Sequence, residues 1–270
     1  MTELVFLKLG GSLITDKDKP YTPRLDKLAE LAREIASSRT PNQRLVLGHG
    51  SGSFGHAAAK QYGTREGIKD SPRKSEDQNY WKGFAEVWFQ ASQLNRFVME
   101  SLRAAGLPAI ALAPVAAVTS RETRVASWDL TPLRSALDAG LLPVIYGDVI
   151  FDEARGGTIL STEDLFAHLA RHLHPKRILL AGLEAGVWED FPASTRLVDG
   201  ISLQSYEAMR DGIGASASVD VTGGMAAKVG QMFDLIREVP GLTAEIFSAE
   251  ETGNLARALA GERVGTELRA

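Results

Sequence analysis

Leu4-Val5-Phe6-Leu7-Lys8-Leu9-Gly10-Gly11-Ser12 is an apolar run interrupted by one lysine and closed by paired glycines. Such a run before a glycine turn reads as a buried strand, Leu4–Leu9, entering a loop. In an open α/β sheet, ligands bind beyond the carboxyl ends of the strands, so Lys8, Gly10, Gly11 and Ser12 would meet a phosphate there. The glycines let main-chain N–H groups approach the anion closely, and the lysine supplies a point charge. A second segment of the same make-up lies far down the chain: Asp220-Val221-Thr222-Gly223-Gly224-Met225-Ala226-Ala227-Lys228. Gly223 and Gly224 stand just before an expected helix, Met225–Arg237, and Lys228 falls one turn inside it, so helix start and cation address the same oxygens. Two anion sites served by several lysines exceed what one bound phosphate needs. The chemistry they suggest is phosphoryl transfer.

Strand and helix signals alternate along the rest of the chain, the pattern of an α/β protein whose mainly parallel central sheet is covered on both faces in a three-layer αβα sandwich. Helical spacing of Leu28, Leu31, Ala32 and Ile35 predicts a helix over Leu25–Ser37, and Arg44–Gly48, Ala109–Ala113 and Leu142–Tyr146 read as strands. A long helix is expected over Gln78–Ala105, with Trp81, Phe84, Val87, Trp88, Leu94, Phe97, Val98 and Leu102 as its apolar positions. Asp148 to Ser161 reads as two short extended pieces around Arg155-Gly156-Gly157, a hairpin-like connection. Beyond it come helix Thr162–His172, strand Lys176–Ala181, an extended or hairpin section Gly186–Val198, helix Leu203–Arg210, the helix already described, strand Thr243–Phe247 and helix Asn254–Ala260. A division near residue 155 into two lobes, 1–155 and 156–270, suits the 270-residue length.

Composition excludes several classes. A net charge of −4 argues against general nucleic-acid affinity, and the absence of cysteine excludes a disulfide framework or a thiol nucleophile. No stretch approaches the roughly 18 apolar residues of a membrane span, and nothing reads as a signal peptide, so cytoplasm is the expected location. His168 and His172 have the i, i+4 spacing of metal ligands, but Leu169 occupies the place of a zinc hydrolase's carboxylate. They read as a polar helix face, and no protein-bound metal site is expected.

A third glycine-rich stretch, Gly48-His49-Gly50-Ser51-Gly52-Ser53-Phe54-Gly55-His56, comes after a strand and precedes an expected helix, Ala57–Gln61. It matches the dinucleotide fingerprint at Gly50, Gly52 and Gly55, yet Asp70 lies in a polar run and not at a strand end, where the ribose-binding acid belongs. No Gly-Lys-Ser/Thr comes next, so it is not a P-loop either. An anion nest at a helix start remains, with His56 as an added imidazole that either binds phosphate or merely opens the helix. Thr15-Asp16-Lys17-Asp18-Lys19-Pro20 is a charged loop whose position after the first glycine turn makes Lys17 a second cation for a transferring phosphoryl group.

Taken together these segments resemble the amino acid kinase fold and, within it, the isopentenyl phosphate kinase family. The resemblance rests on Lys8–Ser12 with Thr15-Asp16-Lys17, on Gly50–His56, on Tyr146-Gly147-Asp148, on Thr158-Ile159-Leu160-Ser161 and on Asp220–Lys228, nearly the whole chain. It implies ATP-dependent phosphorylation of isopentenyl phosphate to isopentenyl diphosphate, with Mg2+ as counter-charge. Lys8, Gly10, Gly11 and Ser12 would hold ATP phosphates, Gly223, Gly224 and Lys228 would bind ATP, and Lys17 would stabilise the transferring group. Gly52, Ser53 and His56 would bind the acceptor phosphate, with Gly157 closing that site and Phe84, Val87 and Trp88 lining a pocket for the alkenyl tail. The acceptor oxygen is already anionic at neutral pH, so His56 binds and orients without acting as a base. The lobes become an acceptor-binding and dimerisation half, 1–155, and a nucleotide-binding half, 156–270, of a homodimer.

Two departures stand out. Where the family commonly has Ser-Gly-Asp-Asp, this chain has Ser161-Thr162-Glu163-Asp164, and either acid could orient the lysines or magnesium. Where it often has Thr-Asp-Val-Asp-Gly-Val-Tyr, this chain has Gly182-Leu183-Glu184-Ala185-Gly186-Val187-Trp188, losing two acids near the nucleotide. The rival readings are a kinase of the same fold acting on another phosphate or a phosphonate antibiotic, and a catalytically silent nucleotide-binding protein.

Overall fold

A computed structural model describes residues 2–68, 77–191, 193–209 and 224–270. The elements in chain order are β1 (Glu3–Leu9), α1 (Gly11–Ile14), α2 (Leu25–Ser38), β2 (Gln43–His49), α3 (Gly52–Tyr62), α4 (Gln78–Ala104), β3 (Ala109–Ala111), β4 (Val118–Arg121), β5 (Arg124–Trp128), α5 (Thr131–Asp138), β6 (Leu142–Tyr146), β7 (Asp148–Asp152), β8 (Gly156–Leu160), α6 (Thr162–Leu173), β9 (Arg177–Gly182), β10 (Gly200–Ser202), α7 (Leu203–Met209), α8 (Gly224–Glu238), β11 (Thr243–Ser248), α9 (Asn254–Leu259) and β12 (Thr266–Arg269). Asp70, Arg210 and Asp220–Gly223 lie outside the described residues.

An eight-stranded sheet runs β10-β12-β11-β9-β1-β2-β6-β3, parallel except where β12 meets β11. β1 pairs with β2 on one side and β9 on the other, which joins strands from the two halves of the chain into one sheet. The central strands are apolar at nearly every position because helices cover both faces. Phe6, Val46, Ile145, Ile178 and Ile246 face α5, α6 and α8, and Phe6 packs on Phe166 with ring centroids 4.9 Å apart. Val5, Leu7, Leu45, Leu47, Val144 and Leu179 face α2, α4 and α9 through Leu28, Leu31, Leu94, Val98 and Leu255. Each fully buried side chain of this kind contributes about 1.5–3 kcal/mol, so the two cores are the main stabilising term. The result is the expected three-layer sandwich.

A four-stranded sheet, β5-β4-β7-β8, flanks it. Its β7–β8 hairpin has the register Asp148↔Leu160 to Asp152↔Gly156, as Arg155-Gly156-Gly157 foretold. Asp152 organises the turn by accepting N–H groups from Thr123, Ala154 and Arg155 at 2.9–3.0 Å. β4, β5 and α5 have no counterpart among the expected elements, because the two strands are polar and half-exposed, with no apolar run to mark them. The expected helix Ala57–Gln61 needs correction: α3 starts at Gly52, so the glycine-rich stretch supplies its first turn. Buried Phe54, Ala58 and Ala59 hold that face down, and Gly63 in the left-handed conformation ends it.

Asp148, at the head of β7, has no exposed surface, and burial pushes its carboxyl up to about 7 despite N–H groups from Val149 and Val115. Below about pH 4 folded and unfolded states both hold the proton. Between about pH 4 and 7 only the unfolded state ionises, so stability falls by about 1.4 kcal/mol per pH unit at most, and the loss is complete above pH 7. Urea denaturation across this range should show the wild type losing stability relative to Asp148→Asn as pH rises, whatever the other titrating groups contribute to both; parallel profiles would contradict it.

Candidate active site

Alternation along β1 places Lys8 on the same face as Phe6, under α6. Opposite Lys8 in the pairing stands Gly48 of β2. A Cβ there would meet Thr162 Cγ2 at 2.5 Å and Phe166 at 2.8 Å, so the missing side chain lets the first turn of α6 settle onto the sheet. Glu163 in that turn forms a buried ion pair and hydrogen bond with Lys8 Nζ. Burial alone would raise the Glu163 carboxyl; the charge and hydrogen bond of Lys8, and then the charge of Lys228, overcome it and hold the pKa below the usual value. Lys8, Glu163 and Lys228, 220 residues apart at the extremes of the sequence, thus form one electrostatic group.

The choice between the two acids that could serve the lysines is resolved by their partners. Asp164 completes a capping box with Ser161, accepting from its N–H and Oγ at 2.9 and 2.7 Å. Its other oxygen accepts from Gln231 Nε2 at 3.2 Å, which ties α6 to α8 three residues beyond Lys228. Glu163 alone is left for the lysines.

The two glycine turns touch. A Cβ on Gly11 would lie 2.6 Å from Gly52 Cα and closer still to its N, and one on Gly50 would lie 2.9 Å from Gly11 N. Gly10 donates to the Ala181 carbonyl at 2.8 Å and Gly50 to the Leu9 carbonyl at 3.0 Å, fastening both turns to the strand ends. Thr15, a residue to which no role was expected to fall, bridges them: its hydroxyl donates to the Gly11 carbonyl and accepts from Ser53 N–H. Ser53 Oγ is buried without a partner, and His56 stands one turn further along α3, half-buried.

The remaining expected residues are spread over several elements. Ser12 lies in α1 beside Gly11. Lys17 is exposed in the loop whose base is the Thr15–Pro23 bridge. Gly224 begins α8 with positive φ, and Gly223 is outside the described residues. Gly157 brings β8 against α4, where a Cβ would meet Tyr80 Oη at 2.8 Å and Phe84 Cε2 at 2.9 Å. Phe84 and Val87 are buried with Ala58, Ala59, Ile68, Tyr80 and Val149, directly beyond the His56 turn. Trp88 is not with them; the next residue on a helix points about 100° away, and its side chain is 42% exposed.

A model of the amino acid kinase family matches residues 3–248. The chain belongs to the amino acid kinase family. An isopentenyl phosphate kinase of Methanothermobacter thermautotrophicus is 36% identical over 275 residues, spanning 98% of each chain. One of Haloferax volcanii is 35% identical over 268 residues, again with 98% of each covered. Among solved structures, an isopentenyl phosphate kinase superposes with a TM-score of 0.82 at 31% identity, covering 98% of this chain and 99% of its own. This amino acid kinase is therefore an enzyme that transfers phosphoryl groups, and a kinase of this family takes ATP as co-substrate. Among its described residues no helix is long and apolar enough to cross a membrane.

The contact of the two turns gives a test that needs no ligand. Gly11→Ala forces backbone against backbone and should cost at least about 2 kcal/mol. Gly200→Ala, whose Cβ would meet only Glu267 O at 3.5 Å, should stay within about 1 kcal/mol of wild type. Equal urea midpoints for the two variants would contradict the tight approach.

Proposed function

We propose that this chain catalyses ATP-dependent phosphorylation of isopentenyl phosphate to isopentenyl diphosphate. The observation that carries the reading is the backbone contact between Gly10–Gly11 and Gly50–Gly52. Transfer from one phosphate to another needs two phosphate sites in line and close together, and two abutting glycine turns supply them. The turn after β1, with Ser12 and Lys8, takes the nucleotide phosphates. The start of α3, with Gly52, Ser53 and His56, takes the acceptor phosphate. Full-length similarity to isopentenyl phosphate kinases supports the choice of acceptor.

In this mechanism the residues position and neutralise. Glu163 holds Lys8 extended and draws Lys228 toward the same point, so the two ammonium groups face the phosphates from both halves of the chain. Lys17 reaches the transferring group from its exposed loop, and Gly223 and Gly224 bind ATP at the start of α8. No general base is required, because the attacking oxygen is anionic. Mg2+, when bound with the nucleotide, would supply counter-charge to the phosphate oxygens, while Glu163 stays paired with Lys8. The alkenyl tail lies beyond His56 against Phe84 and Val87, where Gly157 closes the space. We further propose residues 1–155 as the acceptor-binding and dimerisation half, 156–270 as the nucleotide-binding half, a homodimeric assembly and a cytoplasmic location.

Release of ADP from MgATP tests the reading directly, with isopentenyl phosphate, dimethylallyl phosphate, a phosphonate antibiotic and acetylglutamate as acceptors. Turnover of the prenyl phosphates is expected; turnover of acetylglutamate alone would overturn the proposal. Lys17→Ala should lower kcat by about a hundredfold with both KM values within about threefold, as for a contact made mainly in the transition state. A large rise in either KM at unchanged kcat would assign Lys17 to ground-state binding instead. His56→Ala should raise the acceptor KM by at least about tenfold while ATP binding survives; lost ATP affinity with intact acceptor affinity would refute its role.

A further inference from the structure

His49 is the last residue of β2 and is fully buried, yet the chemistry above makes no use of it. Its ring stacks on Tyr146 with centroids 5.3 Å apart and 14° between planes. Nδ1 lies 3.1 Å from the Gly50 carbonyl oxygen, and Nε2 lies 3.2 Å from the side-chain oxygen Oδ1 of Asn95, a buried polar residue on the core face of α4. The carbonyl of His49 itself is held by Thr162 Oγ1 at 2.6 Å and by Gly147 N–H at 3.2 Å. An imidazole this deep is costly unless both nitrogens are matched, so the partners are informative.

Both facing atoms are oxygens, and a neutral ring can donate to only one of them. Burial opposes a second proton on the ring, the oxygen neighbours at Gly50 and Asn95 favour it, and the charge of Lys8 opposes it; the balance lies below the ordinary histidine value, so the ring is neutral. The Gly50 carbonyl can only accept. The main chain fixes that carbonyl, whereas the Asn95 amide can turn by 180° about its last side-chain bond, so Nδ1 carries the hydrogen and donates to Gly50, and Asn95, turned from the Oδ1-facing orientation, presents its NH2 to Nε2.

This bond also orients the next peptide group. The peptide between Gly50 and Ser51 is planar and trans, so the Gly50 carbonyl and the Ser51 N–H point in opposite directions. Drawing the carbonyl toward the buried ring turns the Ser51 N–H away from the core, toward the mouth of the turn. Gly50 cannot carry a side chain to restrict this peptide, since Gly11 N lies in the way. A glycine turn needs an external restraint to hold one orientation. The neighbouring Gly50 and Ser53 N–H groups are already bound to the Leu9 carbonyl and Thr15 Oγ1.

We propose that His49 is a positioning residue of the acceptor site: as the Nδ1–H tautomer it pins the Gly50 carbonyl and thereby aims the Ser51 N–H at the acceptor phosphate. This rests on the reading of that turn as the acceptor-phosphate site. His49→Phe keeps a ring against Tyr146 and removes both nitrogens; His49→Asn keeps a donor near the Nδ1 position, and His49→Gln moves it toward Nε2.

The test combines NMR of the 15N-histidine-labelled protein with steady-state kinetics on isopentenyl phosphate and MgATP. The wild-type spectrum should show a neutral Nδ1–H ring at position 49. His49→Phe should raise the acceptor KM by about tenfold with the ATP KM within about twofold, and His49→Asn, but not His49→Gln, should recover most of the loss. An Nε2–H or cationic ring would overturn the inference, as would an unchanged acceptor KM or a parallel rise in both KM values. If His49→Phe does not fold, the wild-type tautomer and the contrast between the Asn and Gln variants decide. Failure of the acceptor reading itself is seen separately, as wild-type protein that does not turn over isopentenyl phosphate.

Discussion

The ion pair between Lys8 and Glu163 is the constraint around which the site is arranged. A lysine in the central strand of a two-sided sheet must lose most of its hydration, a cost that only a well-placed opposite charge can offset. That charge can arrive only if the start of α6 descends onto the sheet, which requires an empty position at Gly48 and a helix start firm enough to hold its place. The Ser161–Asp164 box supplies the firmness, and the helix dipole favours a carboxylate in the first turn. Lys228 completes the group from α8, so a single buried carboxylate connects cations from both halves of the chain.

The glycine turns obey a second constraint, that of main chain against main chain. Gly11 and Gly52 approach so closely that neither tolerates a Cβ, and Thr15 stitches the turns together with one hydroxyl. In the proposed reaction this closeness does what a catalytic base does in other transfers. It holds two anionic groups at reacting distance, and the surrounding N–H groups and ammonium groups offset their repulsion. The buried cluster of His49, Asn95 and Tyr146 lies immediately beneath, which makes the floor of the site polar and directional where an all-apolar floor would leave a glycine peptide free to turn.

Much of this was legible in the chain because local patterns carried it. The runs at Leu4–Leu9 and Leu142–Tyr146 could be stable only as buried strands, and Leu28, Leu31 and Ile35 could share a face only on a helix. β4, β5 and α5 left weaker marks, since half-exposed polar strands resemble loops. The start of α3 was hidden by its own glycines, which usually end helices; packing of Phe54 under α4 and against Phe97 outweighs their poor propensity.

What the sequence determined by itself was the inventory: apolar runs for a parallel sheet, glycine turns at strand ends, and lysines beside them. Periodicity and turn chemistry act between near neighbours, so they can be read residue by residue. Tertiary structure decided the pairings. It chose Glu163 over Asp164 for Lys8, set Trp88 apart from Phe84 and Val87, pressed Gly11 onto Gly52, and gave His49 its two partners. Those choices depend on which face of a strand meets which turn of a helix, between residues as much as 155 positions apart, a relation that only the folded packing defines.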